Sequence, residues 1–166
     1  GDGVLFAAVA GDGAQALFAT RGAQVLRTAL DDVNPQASGT ARGVAGIGLR
    51  AGDTLVGGAV VASSDLADAW LFIVSARGWL KRVPLTEYPL QGRGTQGVRT
   101  LNVSADTGDV AAIACGPASG GLDVLFANGR RFHVAAADVP VENRYNRGRR
   151  MVDMHITRLV KNEIGG

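Results

Sequence analysis

At 166 residues the chain has room for one domain with a buried core, or for an array of small repeated units. Its 24 glycines, roughly double the usual share, point to many tight turns between short elements. No apolar run approaches the ~18 residues of a membrane helix, no basic-then-apolar signal segment leads the chain, and the lone Cys115 excludes a disulfide framework or a thiolate metal cluster.

A start at Gly1 rather than Met suggests a piece of a larger protein, and a cytoplasmic location is the simplest expectation. The net charge of +2 hides an asymmetry: residues 1–76 hold four Arg against seven Asp, whereas residues 77–166 hold thirteen Lys or Arg against eight acids. Fifteen of the seventeen basic residues are Arg, whose planar fork suits phosphates and carboxylates.

In chain order the sequence repeats itself. "ALFATRGAQVLRT" (16–28), "LFIVSARGWLKRV" (71–83) and "DVLFANGRRFHV" (123–134) each run from an apolar stretch through a turn at Gly22, Gly78 or Gly129 into a second β-rich stretch. Such a pattern predicts a hairpin, and Asn128-Gly129 is a strong turn signal because both positions tolerate φ > 0. A basic side chain falls four or five residues past each glycine, at Arg27, Arg82 and His133. A polar loop of roughly 15 residues follows, closed by Gly43, Gly97 or Gly148, then a third strand as in "GVAGIGL" (43–49) and "GVRTLNV" (97–103). A Gly-Asp turn leads into the fourth strand, "GDTLVGGAVV" (52–61) and "GDVAAIACG" (108–116).

The opening "GDGVLFAAVAG" (1–11) matches that last element, so the predicted organisation is one repeat-built domain, 1–166. Its parts are the tail of a preceding blade at 1–13 and blades at 14–65, 66–120 and 121–166. A 3.6-residue period is visible only near Met151–Lys161, where a short helical end is expected. Four-stranded units at this spacing read as an all-β, propeller-like array, forming a partial or open disc of about three to four blades.

The stretch "GWLKRVPLTEYPLQGRGTQGVRTLNV…TGDV" (from Gly78) resembles a blade from the C-terminal domain of the A subunit of bacterial type IIA topoisomerases, DNA gyrase and topoisomerase IV. "GAQVLRTALDDVNPQASGTARGVAGIGLRAGDTLVGGAVV" (22–61) looks like a weaker copy. The resemblance implies a β-pinwheel whose neighbouring blades exchange strands and whose activity is to bind and bend duplex DNA around a positively charged rim. The signature heptapeptide of the gyrase members, Q-R-R-G-G-K-G, aligns with residues 91–97 here; Gln91, Arg93, Gly94 and Gly97 keep it, and Gly92, Thr95 and Gln96 depart from it. The implied partners are double-stranded DNA, an ATPase subunit and the catalytic core of the same polypeptide, within an ATP-dependent type II topoisomerase. The catalytic tyrosine of such proteins lies in another domain, so this domain is expected to be noncatalytic.

Duplex DNA is gripped first by replacing condensed counterions with Arg and Lys, and glycines let loop backbone come close to phosphates. The expected DNA-contacting set is therefore Arg77, Lys81 and Arg82 on the hairpin, Gln91, Arg93, Gly94, Gly97 and Arg99 on the loop that follows, and Arg144, Arg147, Arg149 and Arg150 in "ENRYNRGRR" (142–150). No recognition helix or zinc finger appears, so backbone contacts of little sequence specificity are expected. Trp79 and Tyr88 are read as packing residues, Cys115 as a buried small apolar residue, and Asp53 and Asp109 as turn formers after glycine. No Walker ending, clustered metal-ligand spacing or Ser/His/Asp constellation is present, so no cofactor, metal or catalytic residue is expected. A rival from another class is a propeller-like scaffold whose basic loops bind an acidic protein.

Overall fold

Strand β4, Trp70–Ser75 (WLFIVS), is apolar on both faces, because side chains alternate along a strand and this one lies between two layers. Leu71 and Ile73 pack one way, with Leu17, Val25, Val61, Val83 and Tyr88. Phe72 and Val74 pack the other way, with Leu80, Leu122, Val124 and Val134. Each such side chain contributes on the order of 1.5–3 kcal/mol on burial, so β4 is the element on which two cores meet.

The computed structural model describes residues 13–30, 49, 51–92, 94–126, 128–151 and 156–162. Before β4 come β1 (Gln15–Thr20), β2 (Gln24–Ala29) and β3 (Leu55–Val61); after it come β5 (Trp79–Pro84), β6 (Val98–Arg99), β7 (Val110–Gly116), β8 (Gly121–Phe126), β9 (Arg131–Ala135), β10 (Arg149–Arg150) and β11 (Ile156–Asn162). Short 3-10 segments at Ser63–Asp68, Leu85–Glu87 and Ala136–Asp138 connect them. The strands form three antiparallel sheets, in the orders β3-β1-β2-β6, β10-β5-β4-β7 and β11-β8-β9. The chain is all-β among its described residues, and its sheets stack as the predicted array does. The stretch near Met151–Lys161 is the exception to the reading: Ile156–Asn162 is a strand paired with β8, where β-branched Ile156, Thr157 and Val160 favour extended backbone over a helical end. The expected strand at 43–49 and the tail at 1–11 lie outside the described residues, apart from Leu49.

The fourth strand of a sheet is borrowed. β6, which follows the polar loop of the second unit, pairs not with its own hairpin but with β2 of the first, Gln24 opposite Arg99 and Val25 opposite Val98. β10 repeats this one unit later, Arg149 opposite Leu80 and Arg150 opposite Trp79. Each borrowed strand is preceded by a glycine at positive φ, Gly97 at 73° and Gly148 at 83°. A Cβ on Gly97 would sit 2.2 Å from the Val25 carbonyl oxygen, and one on Gly148 2.3 Å from that of Leu80. No side chain fits there, so glycine is required by backbone lying on backbone.

Two arginines finish the junction. The Arg27 guanidinium donates to the carbonyls of Leu85 (3.2 Å) and Tyr88 (3.0 Å), in the 3-10 turn of the next unit, and to Gln15 Oε1. The Arg82 guanidinium does the same towards Val139, at 2.9 Å, and lies over the Trp70 ring. The backbone repeats too: Gln91 donates to the Arg27 carbonyl, as Glu142 does to that of Arg82. At the third recurrence His133 instead faces Asp123, 2.8 Å away, and a Cβ on Gly121 would strike its ring.

Glycine-to-alanine substitutions separate these requirements. Gly97→Ala and Gly148→Ala each force a carbonyl to move as well as straining φ, and should cost more than about 3 kcal/mol in urea denaturation. Gly94→Ala, at φ 87° with open space around it, should cost only about 1–2 kcal/mol. Equal losses at the three sites would contradict the docking role.

Candidate nucleic-acid interface

Because β6 and β10 cross to neighbouring sheets, the loops beside them are brought against each other. The Arg144 guanidinium donates to the carbonyl of Arg99 at 3.0 Å and lies over the ring of Tyr145. Arg147 lies 4.4 Å over the ring of Trp79 and 3.5 Å from the Asp106 carboxylate. The Trp79 indole N–H in turn donates to the Asp106 carbonyl, and Arg77 N–H to that of Thr107. Four of the expected residues, Arg77, Arg99, Arg144 and Arg147, thus sit around one margin, formed by the turn at 99–107 and the loop at 142–148. Trp79 packs there as a platform for Arg147. Asp106 and Tyr145, which the sequence reading did not nominate, orient two of the four arginines. Their positions have no motif of their own, and the only signal was their closeness to Trp79 and Arg144 once the strands exchange.

Arg149 and Arg150 are exposed on β10, where successive side chains point to opposite faces. Arg149 donates to the Asp138 carbonyl at 3.1 Å. Gly94 is exposed with open space around it. Arg93 lies outside the described residues.

Four expected contacts turn out to have other work. Arg82 is half-buried and spends its guanidinium on the Val139 carbonyl. Gln91 is half-buried and docks its amide on Arg27. Gly97 brings its backbone up to the Val25 carbonyl rather than out to a phosphate. The largest departure is Lys81, read as a hairpin charge and found 1% exposed. Its three N–H donors are shared among four carbonyls within hydrogen-bonding distance of Nζ, those of Thr100 (2.6 Å), Arg144 (2.8 Å), Asn143 (3.1 Å) and Asn146. Alternation along β5 places Lys81 on the face of Val83, which is fully buried, and the burial of that face is what the sequence alone does not show.

Burial pulls the Lys81 ammonium down to about 8, against the opposing pull of Glu142 and Glu87. Burial pushes Cys115 up to about 12 and Tyr88 above its ordinary range, the latter donating to or accepting from Thr100 Oγ1 at 2.6 Å. The reading of Tyr88 as packing agrees with this, while Cys115, read as a buried small apolar residue, is partly buried. Asp53 accepts from the backbone N–H of Gly22, a turn role, while Asp109 pairs with Arg21 at 2.8 Å across two units. Among the described residues no group of three His, Cys, Asp or Glu is placed to hold a metal, and no helix is long and apolar enough to cross a membrane.

Comparison with known proteins places this geometry. The family described as "DNA gyrase C-terminal domain, beta-propeller" matches residues 15–62 and 69–116, more than half of the chain. The A subunit of DNA gyrase from Deinococcus deserti is 33% identical over 93% of this chain, which spans 19% of that protein. Its counterpart from Kosmotoga olearia is 30% identical over 83%, and the chain spans 17% of it. Of solved structures, the C-terminal domain of DNA topoisomerase IV superposes with a TM-score of 0.75 over 90% of this chain and 48% of that one, at 17% identity. The E. coli ParC C-terminal domain gives 0.66 over 90% and 61%, at 19% identity. At such identities the superpositions speak for the fold.

The shifted groups give a signed dependence of stability on pH. Between pH 7 and 9 the unfolded chain keeps the Lys81 proton, at its ordinary value of 10.5, while the folded chain yields it near 8; stability therefore rises with pH in this window. Above the ordinary values of Cys115 (9.0) and Tyr88 (10.0) the unfolded chain loses protons that the folded chain retains, and stability falls. Urea midpoints should therefore be higher at pH 9 than at pH 7 or 11, and Lys81→Met should remove the first rise. A wild-type midpoint that falls from pH 7 to 9 would contradict the buried ammonium.

Proposed function

The chain belongs to the family of DNA gyrase C-terminal β-propeller domains, and on that footing we propose that it binds and bends duplex DNA as a module of a type II topoisomerase A subunit. The reading is carried by the meeting of Arg99 and Arg144, which belong to different repeat units and touch at the Arg99 carbonyl. A series of units joined in this way sets basic loops side by side, at a spacing fixed by the strand exchange. Arg77 and Arg147 extend the same margin, while Arg149, Arg150 and Gly94 are exposed beside it.

The chemistry is electrostatic and lacks base readout. Arginine forks neutralise phosphate oxygens and release counterions, an effect independent of sequence. Bending 20–30 bp through 40–90° costs on the order of 1–6 kcal/mol, which several phosphate contacts along a curved margin offset. The module is noncatalytic by itself, needs no cofactor, and presents a bent segment to the catalytic core of its own polypeptide, with an ATPase subunit completing the enzyme in the bacterial cytoplasm. The heptapeptide at 91–97 keeps one of its three basic residues, Arg93. Bending or docking therefore weighs more in this chain than tight wrapping, in either a gyrase-like or a topoisomerase IV-like setting.

Fluorescence anisotropy on a random-sequence 30-bp duplex tests the reading. With about six phosphates engaged, affinity should fall by roughly three decades between 50 and 200 mM salt, and Arg147→Ala should lower the logarithmic salt slope by about one. Absent or salt-independent binding would contradict the proposal and favour an acidic protein partner.

A further inference from the structure

The loop at 142–148 is supported from beneath by a charge that never reaches solvent. The Lys81 ammonium meets backbone carbonyls of three loop residues, Asn143, Arg144 and Asn146, and of Thr100, the residue after Arg99. The loop lies directly on this side chain, since a Cβ on Gly148 would come within 2.7 Å of Lys81 Cβ. Its amides are held from the other side: Asn143 Oδ1 accepts from Tyr145 and Asn146 N–H at 2.9 Å each, and Glu87 Oε1 from Arg144 N–H at 3.0 Å. In the preceding unit the position before the clamping arginine is Leu26, buried and apolar, where Lys81 precedes Arg82. The cation therefore sits under the loop that bears Arg144 and Arg147, with no counterpart one unit earlier.

Placed under several arginines, a positive charge cannot serve to relieve repulsion; Arg144 and Lys81 disfavour each other, and Glu87 and Glu142 offset this. Its service is geometric. We propose that Lys81 is the positioning residue of the basic margin: it gathers inward-facing carbonyls from two units and so fixes where Arg99, Arg144 and Arg147 stand. The proposal rests on the DNA-binding reading for its consequence, but the ordering of the loop is separately measurable.

Lys81→Met in the full chain keeps the length of the side chain and removes the donors. Lys81 is 1% exposed, so no phosphate-facing charge is lost. The expected result is at least a tenfold loss of affinity for a random-sequence 30-bp duplex, with a salt slope lowered by about two or more, where loss of one charge contact gives about one. Amide exchange at Tyr145, Asn146 and Met151 should accelerate, and Trp79 emission, read in a Trp70→Phe background, should shift as Arg147 leaves its ring. A folded Lys81→Met chain with wild-type affinity and slope, or with unchanged exchange at those amides, would overturn the proposal. Should the variant fail to fold, the wild-type chain decides: Tyr145 and Asn146 amides protected relative to an unstructured peptide support the cage, and peptide-like exchange refutes it. If the wild-type chain does not bind DNA at all, the DNA reading fails alone, and amide exchange still reports whether Lys81 orders the loop.

Discussion

Backbone lying on backbone at Gly97 and Gly148 is the constraint on which the architecture depends. Each glycine lets a two-residue strand approach the preceding sheet closely enough to pair, so no sheet among the described residues that has four strands is built from one stretch of chain. Sequence repetition then becomes spatial repetition. The Arg27 and Arg82 clamps and the docked amides of Gln91 and Glu142 recur at the same steps of two successive junctions. Apolar packing on both faces of β4 joins two cores, and the polar junctions recur where the layers meet.

Arginine serves two purposes in this chain, and burial decides which. Arg27 and Arg82 are half-buried, and each spends its guanidinium on backbone carbonyls of the next unit, Leu85 and Tyr88 for Arg27 and Val139 for Arg82. Arg77, Arg147, Arg149 and Arg150 are exposed, and the contacts of Arg147 with Asp106 and of Arg149 with the Asp138 carbonyl lie at the surface, where solvent weakens them. Such pairs hold a side chain loosely and release it readily to a stronger anion. Asp106, 77% exposed in its pair with Arg147, is of this kind. The margin is thus held in part by weak surface pairs, which on the proposed function a phosphate backbone displaces. The third junction differs: His133 turns back onto Asp123, and among the described residues no borrowed strand pairs with β9.

Much of the fold was legible because glycine and alternation carry it. The hairpins at Gly22, Gly78 and Gly129, and the strands after Gly52 and Gly108, are set by local turn chemistry and were read from it. Strand exchange is a matter of which neighbour a short strand meets, and nothing local in "GVRTLNV" encodes that; it came only from the family resemblance. Residues 156–162 misled because a short apolar run fits either period, and pairing with β8 settled it. Of the site, the exposed arginines could be read from charge clustering. Lys81 and Arg82 could not be separated from them, since a Lys-Arg pair on a hairpin looks like surface until both faces of the strand are known to be covered.

Hydrogen exchange of the whole chain, with and without a 40-bp duplex of random sequence, tests most directly whether DNA rests where successive units meet. The account predicts that added protection concentrates in residues 98–107 and 142–151. Protection centred instead on the 3-10 segment Ser63–Asp68 and on β11, with those two stretches unchanged, would contradict it.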